Sequence, residues 1–309
     1  MKLDIGKEFD GMTVRDFLTH ELQLSRRCIS SLKNHEKGMV LNGDRVTVRA
    51  LLSSGDILEL ALEDESEDIT ELTPVNIPIE VIYEDEAVTV VNKPAGMPTI
   101  LSHGHYEDTL ANALAYRYRG RGFVMRAVNR LDRDTSGICL VANSRRSAYI
   151  LCEQMKSREM TKKYIALLDG RIDADNSEKI IKNYIKRKEG STMMREVTLD
   201  PSGGDVAETH YRLFAQSKKY SAVIAEPKTG RTHQLRVHFS HMGYPIVGDT
   251  MYGEKSELID RQALHAFELT FTHPYTKEKM TFRAPLPEDM LAVMRDVEMD
   301  IDLAELKAE

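Results

Sequence analysis

Cysteine is scarce in this chain: three in 309 residues, Cys28, Cys139 and Cys152, widely spaced. An odd number at such spacing forms neither a disulfide framework nor a metal-binding pattern, and it fits a reducing compartment. Long apolar runs are missing as well. None approaches the ~20 residues that a membrane-spanning helix needs. The start, Met1-Lys2-Leu3-Asp4-Ile5, lacks the apolar core of a signal peptide. There is no internal repeat and no low-complexity tract. Net positive charge is also lacking, with a formal charge of -7 at pH 7. These absences argue against membrane-embedded and disulfide-stapled classes. The expectation is a cytoplasmic globular protein of one large domain or two moderate ones.

A negative total speaks against a nucleic-acid partner until the distribution is considered. Residues 11–50 hold seven Arg and Lys against four Asp and Glu, and residues 116–164 hold twelve against four. The acid lies elsewhere: six acids and no base in 63–74, and eight acids against two bases in 284–309. Segregated charge makes a local positive field, and phosphate binding depends on that local field. Any one such run is ordinarily a solvated face. Two basic regions separated by an acidic linker call for more.

The pattern divides the chain into four parts. Residues 10–62 read as a small module. Thr13 caps a helix with Val14, Phe17, Leu18 and Leu22 on one face, and Ser25 caps a second helix from Arg26 to Asn34. Asn42-Gly43 then marks a hairpin, because both turn positions need positive φ. Residues 63–74 read as an acidic linker ended by Pro74. From 75 to 285, strands and helices interleave without a regular βαβ alternation. Strands are expected at Val81–Tyr83, Ala87–Val91, Gly137–Ala142, Lys163–Leu167, His210–Ala215 and Ala222–Ala225. Helices are expected at about 107–118, 144–158 and 232–241. This predicts an α+β fold whose sheet is mixed and largely antiparallel, with helices packed on it. Residues 286–309 form an acidic C-terminal helix or tail.

The densest chemistry lies in Asn129-Arg130-Leu131-Asp132-Arg133-Asp134-Thr135-Ser136-Gly137. Two carboxylates and two guanidinium groups fall within five residues, next to the apolar run Ile138-Cys139-Leu140-Val141-Ala142. Such a turn is costly to fold around, so it suggests a polar cleft with one carboxylate held in place. The segment resembles the signature of the RluA-type RNA pseudouridine synthases, His-Arg-Leu-Asp-x-x-Thr-Ser-Gly, with Asn129 where His is usual. Further stretches resemble the same family in the same order: Val91-Asn92-Lys93-Pro94, Thr161-Lys162-Lys163-Tyr164-Ile165-Ala166-Leu167, Lys228-Thr229-Gly230-Arg231-Thr232-His233-Gln234-Leu235-Arg236-Val237-His238, Leu264-His265-Ala266 and Thr272-His273-Pro274. The N-terminal module resembles an S4-type RNA-binding domain. Taken alone, it also reads as a helical oligomerisation module.

The resemblance implies a reaction and a site. Uridine becomes pseudouridine when the N1–C1′ bond breaks, the uracil turns, and C5 bonds to C1′. No oxidant, metal, energy donor or other cofactor is required. A carboxylate beside the sugar attacks C1′ or takes a ribose proton. The family match gives that role to Asp132 and gives Arg231 the pairing that favours its ionised form. It gives Tyr164 stacking on the flipped uracil or the final proton abstraction. It gives Arg130 insertion into the gap left by the extruded base. Asp134 is the competing carboxylate, and it falls at a variable position where a loop-stabilising acid is the simpler reading. His233, His238 and His241 raise the idea of zinc, but the family motif accounts for the first two without metal. In the N-terminal module, Arg26, Arg27, Lys33 and Arg45 are the expected RNA contacts.

The expectation is therefore a cytoplasmic RNA pseudouridine synthase with no metal site, a monomer by default. Ribosomal RNA of the large subunit is favoured over transfer RNA. Two rivals stand beside it: a binding protein that kept the fold without the chemistry, and a glycosidase or nucleoside hydrolase using Asp132 and Asp134. Mass separates the last, because pseudouridine and uridine have equal mass and base loss does not preserve it.

Overall fold

Residues 2–61 enclose an apolar core of their own, centred on Val14, Leu18, Ile29, Leu32, Leu52 and Leu58. The computed structural model of the chain describes residues 2–22, 24, 26–61, 72–173, 177–301 and 306. The expected Ser25 cap and most of the 63–74 linker lie outside the described residues, as does much of the end of the C-terminal segment. The module opens with strand β1 (Lys2–Asp4), followed by a single helical turn α1 (Val14–Asp16) that runs straight into a π-helical stretch, Phe17–Glu21. Thr13 Oγ1 accepts from the Asp16 backbone N–H at 3.1 Å, so the cap forms as its sequence position predicts. Next come α2 (Arg26–Asn34), β2 (Met39–Leu41), β3 (Asp44–Arg45) and β4 (Ile57–Leu60). Asn42 and Gly43 sit at φ 54° and 93°, as the two-residue turn between β2 and β3 requires. The sheet order is β1-β4-β2-β3, with Lys2 opposite Glu59. The module therefore begins earlier than the residue 10 expected from pattern. A three-residue strand shows no periodicity, and its partner is distant in sequence.

The second body is a ten-stranded sheet. Its elements are β5 (Glu80–Glu84), β6 (Val88–Lys93), α3 (Leu110–Arg117), β7 (Ser136–Ala142), α4 (Arg145–Lys156), β8 (Thr161–Asp169), β9 (Lys179–Arg187), β10 (Arg195–Thr198), β11 (Asp205–Gln216), β12 (Tyr220–Pro227), α5 (Gln234–His241), β13 (Leu264–Thr272), β14 (Lys279–Arg283) and α6 (Glu288–Asp296). The strands follow the order β10-β9-β11-β12-β8-β13-β7-β6-β5, with β14 added on β13. Among the described residues every pairing in this sheet is antiparallel except β7 with β13. The α+β class with a largely antiparallel sheet is as expected. The β9–β10 hairpin and the strands β13 and β14 are additions to the expected strands.

Two apolar layers flank the sheet. Leu110 and Leu114 of α3, Leu235 and Phe239 of α5, and Met290 of α6 share one core with Cys139, Val141 and Tyr164. On the other face Leu151 of α4 meets Ile138 and Leu140. Strand β7 is buried along its whole length, and each of its large apolar side chains contributes roughly 1.5–3 kcal/mol. Its first residues need close approach. Gly137 has φ 112°, and a Cβ there would lie 2.1 Å from the Ala266 carbonyl oxygen. Only glycine lets β7 run parallel against β13 at that point. This fixes the strand that the 129–136 loop feeds.

Candidate active site

The loop bearing Asp132 is held from below by groups that leave little freedom. Asn129, in the position where the family pattern has His, is buried. Its Nδ2 donates to the Ile138 carbonyl at 3.0 Å, and its Oδ1 accepts from the Leu140 N–H at 2.7 Å. One amide thus meets a carbonyl and an N–H of β7 together, which its paired donor and acceptor suit. Thr99 Oγ1 donates to the Leu131 carbonyl at 2.9 Å and lies 3.1 Å from the Leu131 N–H. Lys93 is fully buried, and its Nζ donates to the carbonyls of Met97, Pro94 and Arg133 at 2.7, 2.8 and 3.0 Å. Burial pushes its pKa down to about 8, against the opposing pull of nearby groups that include Asp134 and Asp132. Three carbonyls match the three protons of an ammonium group.

On this base the Asp132 carboxylate stands about one-third exposed. Arg236 Nη1 donates to its Oδ2 at 3.1 Å. The same guanidinium donates through Nε and Nη2 to the two oxygens of Asp249 at 2.7 and 2.8 Å. Asp249 is 1% exposed, and its Oδ1 also accepts from the Met251 and Tyr252 N–H groups. Burial works against the charge on Arg236, but Asp249 and then Asp132 outweigh it and raise its pKa. The fork geometry of arginine allows one side chain to bind Asp249 with two bonds and still reach Asp132 with a third. The Arg236 guanidinium also lies 5.1 Å from the centre of the Tyr252 ring.

His233 completes this side. It occupies the left-handed region at φ 57°, just before α5, so the helix begins at Gln234 rather than at 232. Its Nδ1 is 2.9 Å from the Tyr252 hydroxyl, and its Nε2 is 3.9 Å from Asp132 Oδ2. Burial lowers its pKa, although the Asp132 charge pulls the other way. Tyr164, on β8, is 9% exposed, and burial raises its phenol pKa, with Cys139 and Asp132 adding to the effect. The phenol is therefore protonated at neutral pH.

The sequence placed Arg231 against Asp132, and the geometry does not. Arg231 Nε donates to the Val206 carbonyl at 3.0 Å, and its Nη1 lies 3.7 Å from Asp205, both at the surface. Five residues further on, Arg236 points inward from α5 instead. Asp134 is engaged by its neighbour, with Arg133 Nε and Nη2 donating to it at 3.0 and 2.9 Å. That accords with its reading as a loop acid. Arg130 is exposed beside Asp132 and takes no ion-pair partner among the described residues. In the N-terminal module, Lys33 is exposed on α2. The side chains of Arg26 and Arg27 lie outside the described residues. Arg45 is partly committed, because its Nη2 donates to the carbonyls of Lys33 and His35, each at 3.3 Å, at the end of α2. His238 is hydrogen-bonded at 2.9 Å to both Thr209 and Asn183 rather than turned toward His233. Among the described residues no three His, Cys, Asp or Glu side chains form a metal-binding group.

A carboxylate about one-third exposed, a clamped guanidinium and a buried tyrosine lie where the motifs of a known family meet. The sequence profile of the RNA pseudouridylate synthases matches residues 87–241. The chain is also 37% identical over 286 residues to the RNA pseudouridine synthase YjbO of Bacillus subtilis (strain 168), which covers 92% of this chain and 99% of that one. The chain belongs to the RNA pseudouridine synthase family. Its members are isomerases acting on RNA, and the enzyme class expected from the motifs stands. Residues 1–58 match the profile of the RluD ribosomal pseudouridine synthase N-terminal domain. A further relative is the ribosomal large subunit pseudouridine synthase D of Xylella fastidiosa, 36% identical over 277 residues, covering 84% of this chain and 81% of that one. Among solved structures, human RNA pseudouridylate synthase domain containing 1 superposes with a TM-score of 0.56 at 30% identity, over 67% of this chain and 83% of that one.

The residues missed from sequence are Arg236, Asp249 and Tyr252. A signal existed. Arg236 falls among Gln234, Leu235, Val237, His238 and Phe239, all buried. A charged residue inside so apolar a helix needs a buried partner of opposite sign.

Proposed function

We propose that this pseudouridine synthase acts on ribosomal RNA of the large subunit, with Asp132 as the carboxylate that works at the ribose. The observation that carries the assignment of the carboxylate is the bond from Arg236 Nη1 to Asp132 Oδ2 at 3.1 Å, with Arg236 itself held by Asp249. Arg236 presents a permanent positive charge and a hydrogen-bond donor to that carboxylate and so fixes its position. Asp132 attacks C1′ or removes a ribose proton as the N1–C1′ bond breaks, and the uracil leaves with the bonding electrons. The base turns and C5 bonds to C1′ as the Asp132–C1′ bond breaks or, on the elimination route, as the ribose proton returns from Asp132; the C5 proton departs and N1 gains one, so atoms and charge balance. Tyr164 supports the base as a neutral phenol by stacking or hydrogen bonding, since its raised pKa disfavours a phenolate.

Arg130, exposed two residues before Asp132 and without an ion pair among the described residues, is suited to fill the gap left by an extruded uridine. The N-terminal module grips RNA as an S4-like domain, with the exposed Lys33 of α2 among its phosphate contacts. Arg231 serves at the surface. The ribosomal substrate is inferred from the relatives named for the large subunit. The enzyme then works in the cytoplasm with that RNA. Mapping pseudouridine through the total RNA of a strain lacking the gene, against its parent, tests the substrate. Loss at a large-subunit position that returns on complementation is expected. Loss confined to transfer RNA overturns the substrate, and no loss anywhere overturns the activity.

A further inference from the structure

His233 carries a hydrogen-bond donor that its surroundings leave unused. The Tyr252 hydroxyl oxygen accepts the Arg195 backbone N–H at 2.8 Å. Its own proton needs an acceptor, and among the described residues His233 Nδ1, at 2.9 Å, is the atom placed to take it. A ring nitrogen that accepts bears no proton, so the imidazole is neutral and its proton sits on Nε2. The charges around the ring agree with this form. Asp132 and Asp249 favour the imidazolium, Arg236 and Arg195 oppose it, and burial tips the balance to the neutral ring. The side chain is 10% exposed, and its Nε2 makes no hydrogen bond among the described residues. That nitrogen lies 3.9 Å from Asp132 Oδ2, about 1 Å beyond hydrogen-bond length.

The backbone holds the ring in this place against its own preference. His233 sits at φ 57°, where a residue other than glycine is uncommon, although histidine is tolerated there better than most. Such strain persists where the surrounding structure over-determines it, and it gathers at functional sites. Arg236 Nη1 also binds Asp132 Oδ2, while Oδ1 accepts no hydrogen bond among the described residues. Both donors therefore address the same carboxylate oxygen. Hydrogen bonds of this kind are often long in a free enzyme and tighten when substrate fills the cleft. We propose that His233, held in its Nε2–H form by Tyr252, is a positioning residue: with Arg236 it fixes Asp132 Oδ2 in the substrate complex and leaves Oδ1 as the oxygen that works at the ribose. The proposal rests on the role given to Asp132 above.

Single-turnover formation of pseudouridine on a large-subunit ribosomal RNA transcript, with RNA affinity and Tm determined for each variant, tests it. His233→Asn suits the left-handed backbone, but its short amide does not reach the place of Nε2. Its rate should fall by up to about 10²-fold, the loss that a misplacement of about 1 Å can bring, with affinity near that of wild type. His233→Gln puts an amide N–H near the place of Nε2 and should recover most of the rate. Tyr252→Phe keeps the ring beside Arg236 and removes the hydroxyl that selects the tautomer. It should slow wild type several-fold and His233→Gln hardly at all, since an amide has no tautomer to choose. Equal losses in His233→Asn and His233→Gln that track their Tm mean a structural histidine and overturn the proposal. A Tyr252→Phe loss of the same size in both backgrounds overturns it too. The nitrogen-15 spectrum of histidine-labelled protein reads the tautomer without reference to activity, the His233 signals being those absent from His233→Gln. An active wild type with the proton on Nδ1 overturns this role alone. A wild type with the proton on Nε2 that forms no pseudouridine on any RNA overturns the isomerase reading, and this role with it.

Discussion

Replacing Arg236 should do far more harm than replacing Arg231, although both stand in one motif. Arg236 is 6% exposed and makes three charge-assisted bonds, two to Asp249 and one to Asp132. Arg236→Met leaves Asp249, itself 1% exposed, without its cation. Breaking a buried pair by removing one partner costs about 3–5 kcal/mol. At about 2–4 °C per kcal/mol for a domain of this size, the Tm should fall on the order of 10 °C. The rate should fall as well, by about 10²- to 10³-fold, the usual loss when one preorganised charge-stabilising donor is removed. A second substitution separates the two effects. In Arg236→Met with Asp249→Leu no unpaired buried charge remains, so most of the stability should return. The rate should not return, because Asp132 still lacks its partner. Single-turnover formation of pseudouridine, measured well below each Tm, decides the matter. Arg231→Ala should stay within a few-fold of wild type, since its bonds go to Val206 and Asp205 at the surface. A double variant that regains the rate, or an Arg231 variant slower than the Arg236 one, refutes the reasoning.

Asn129→Ala should leave the Ile138 carbonyl and the Leu140 N–H without partners, costing about 1–3 kcal/mol by denaturant titration and slowing turnover through a looser Asp132 loop. Two buried histidines set an acid limit. Burial lowers His238 and His265 to about 4 from an ordinary 6.5, so between those values the unfolded chain binds more protons than the folded one. Their stabilising share is complete above pH 6.5 and is lost as pH falls toward 4, with a slope of at most about 2.7 kcal/mol per pH unit for the two together. Urea titrations at intervals through that window should show the fall, and a flat profile in wild type contradicts it. Arg130→Ala should impair single turnover on structured RNA more than on an unstructured oligonucleotide, because unstacking is the step it assists. An equal loss on both would tie Arg130 to Asp132 chemistry instead.

The readable parts of this chain are those fixed by local chemistry. Thr13 and Ser144 cap the helices they precede, and Ser144 Oγ accepts from the Ser147 N–H at 3.0 Å. Asn42-Gly43 turns the hairpin because its backbone geometry favours those two residues. The Asp132 segment was visible from its motif. What stayed hidden depends on contacts distant in sequence. Strand β1 exists only through β4, and β10 is held in part by its Arg195 N–H donating to the Tyr252 hydroxyl at 2.8 Å. Whether Arg231 or Arg236 meets Asp132 is set by how α5 docks on the sheet, and the left-handed turn at His233 sets where α5 starts. The motif contains both arginines and does not order them. The pattern of burial along α5 does.

The central claim is that the Asp132 carboxylate performs the isomerisation. Asp132→Asn changes one oxygen to nitrogen and keeps an acceptor for Arg236. The most direct measurement is pseudouridine formed by this variant on a large-subunit ribosomal RNA transcript under single-turnover conditions, with RNA affinity determined on the same sample. The account predicts no detectable product with affinity near that of wild type, while Asp134→Asn, which loses only the surface pair with Arg133, remains active. Product at a rate near wild type from Asp132→Asn contradicts it.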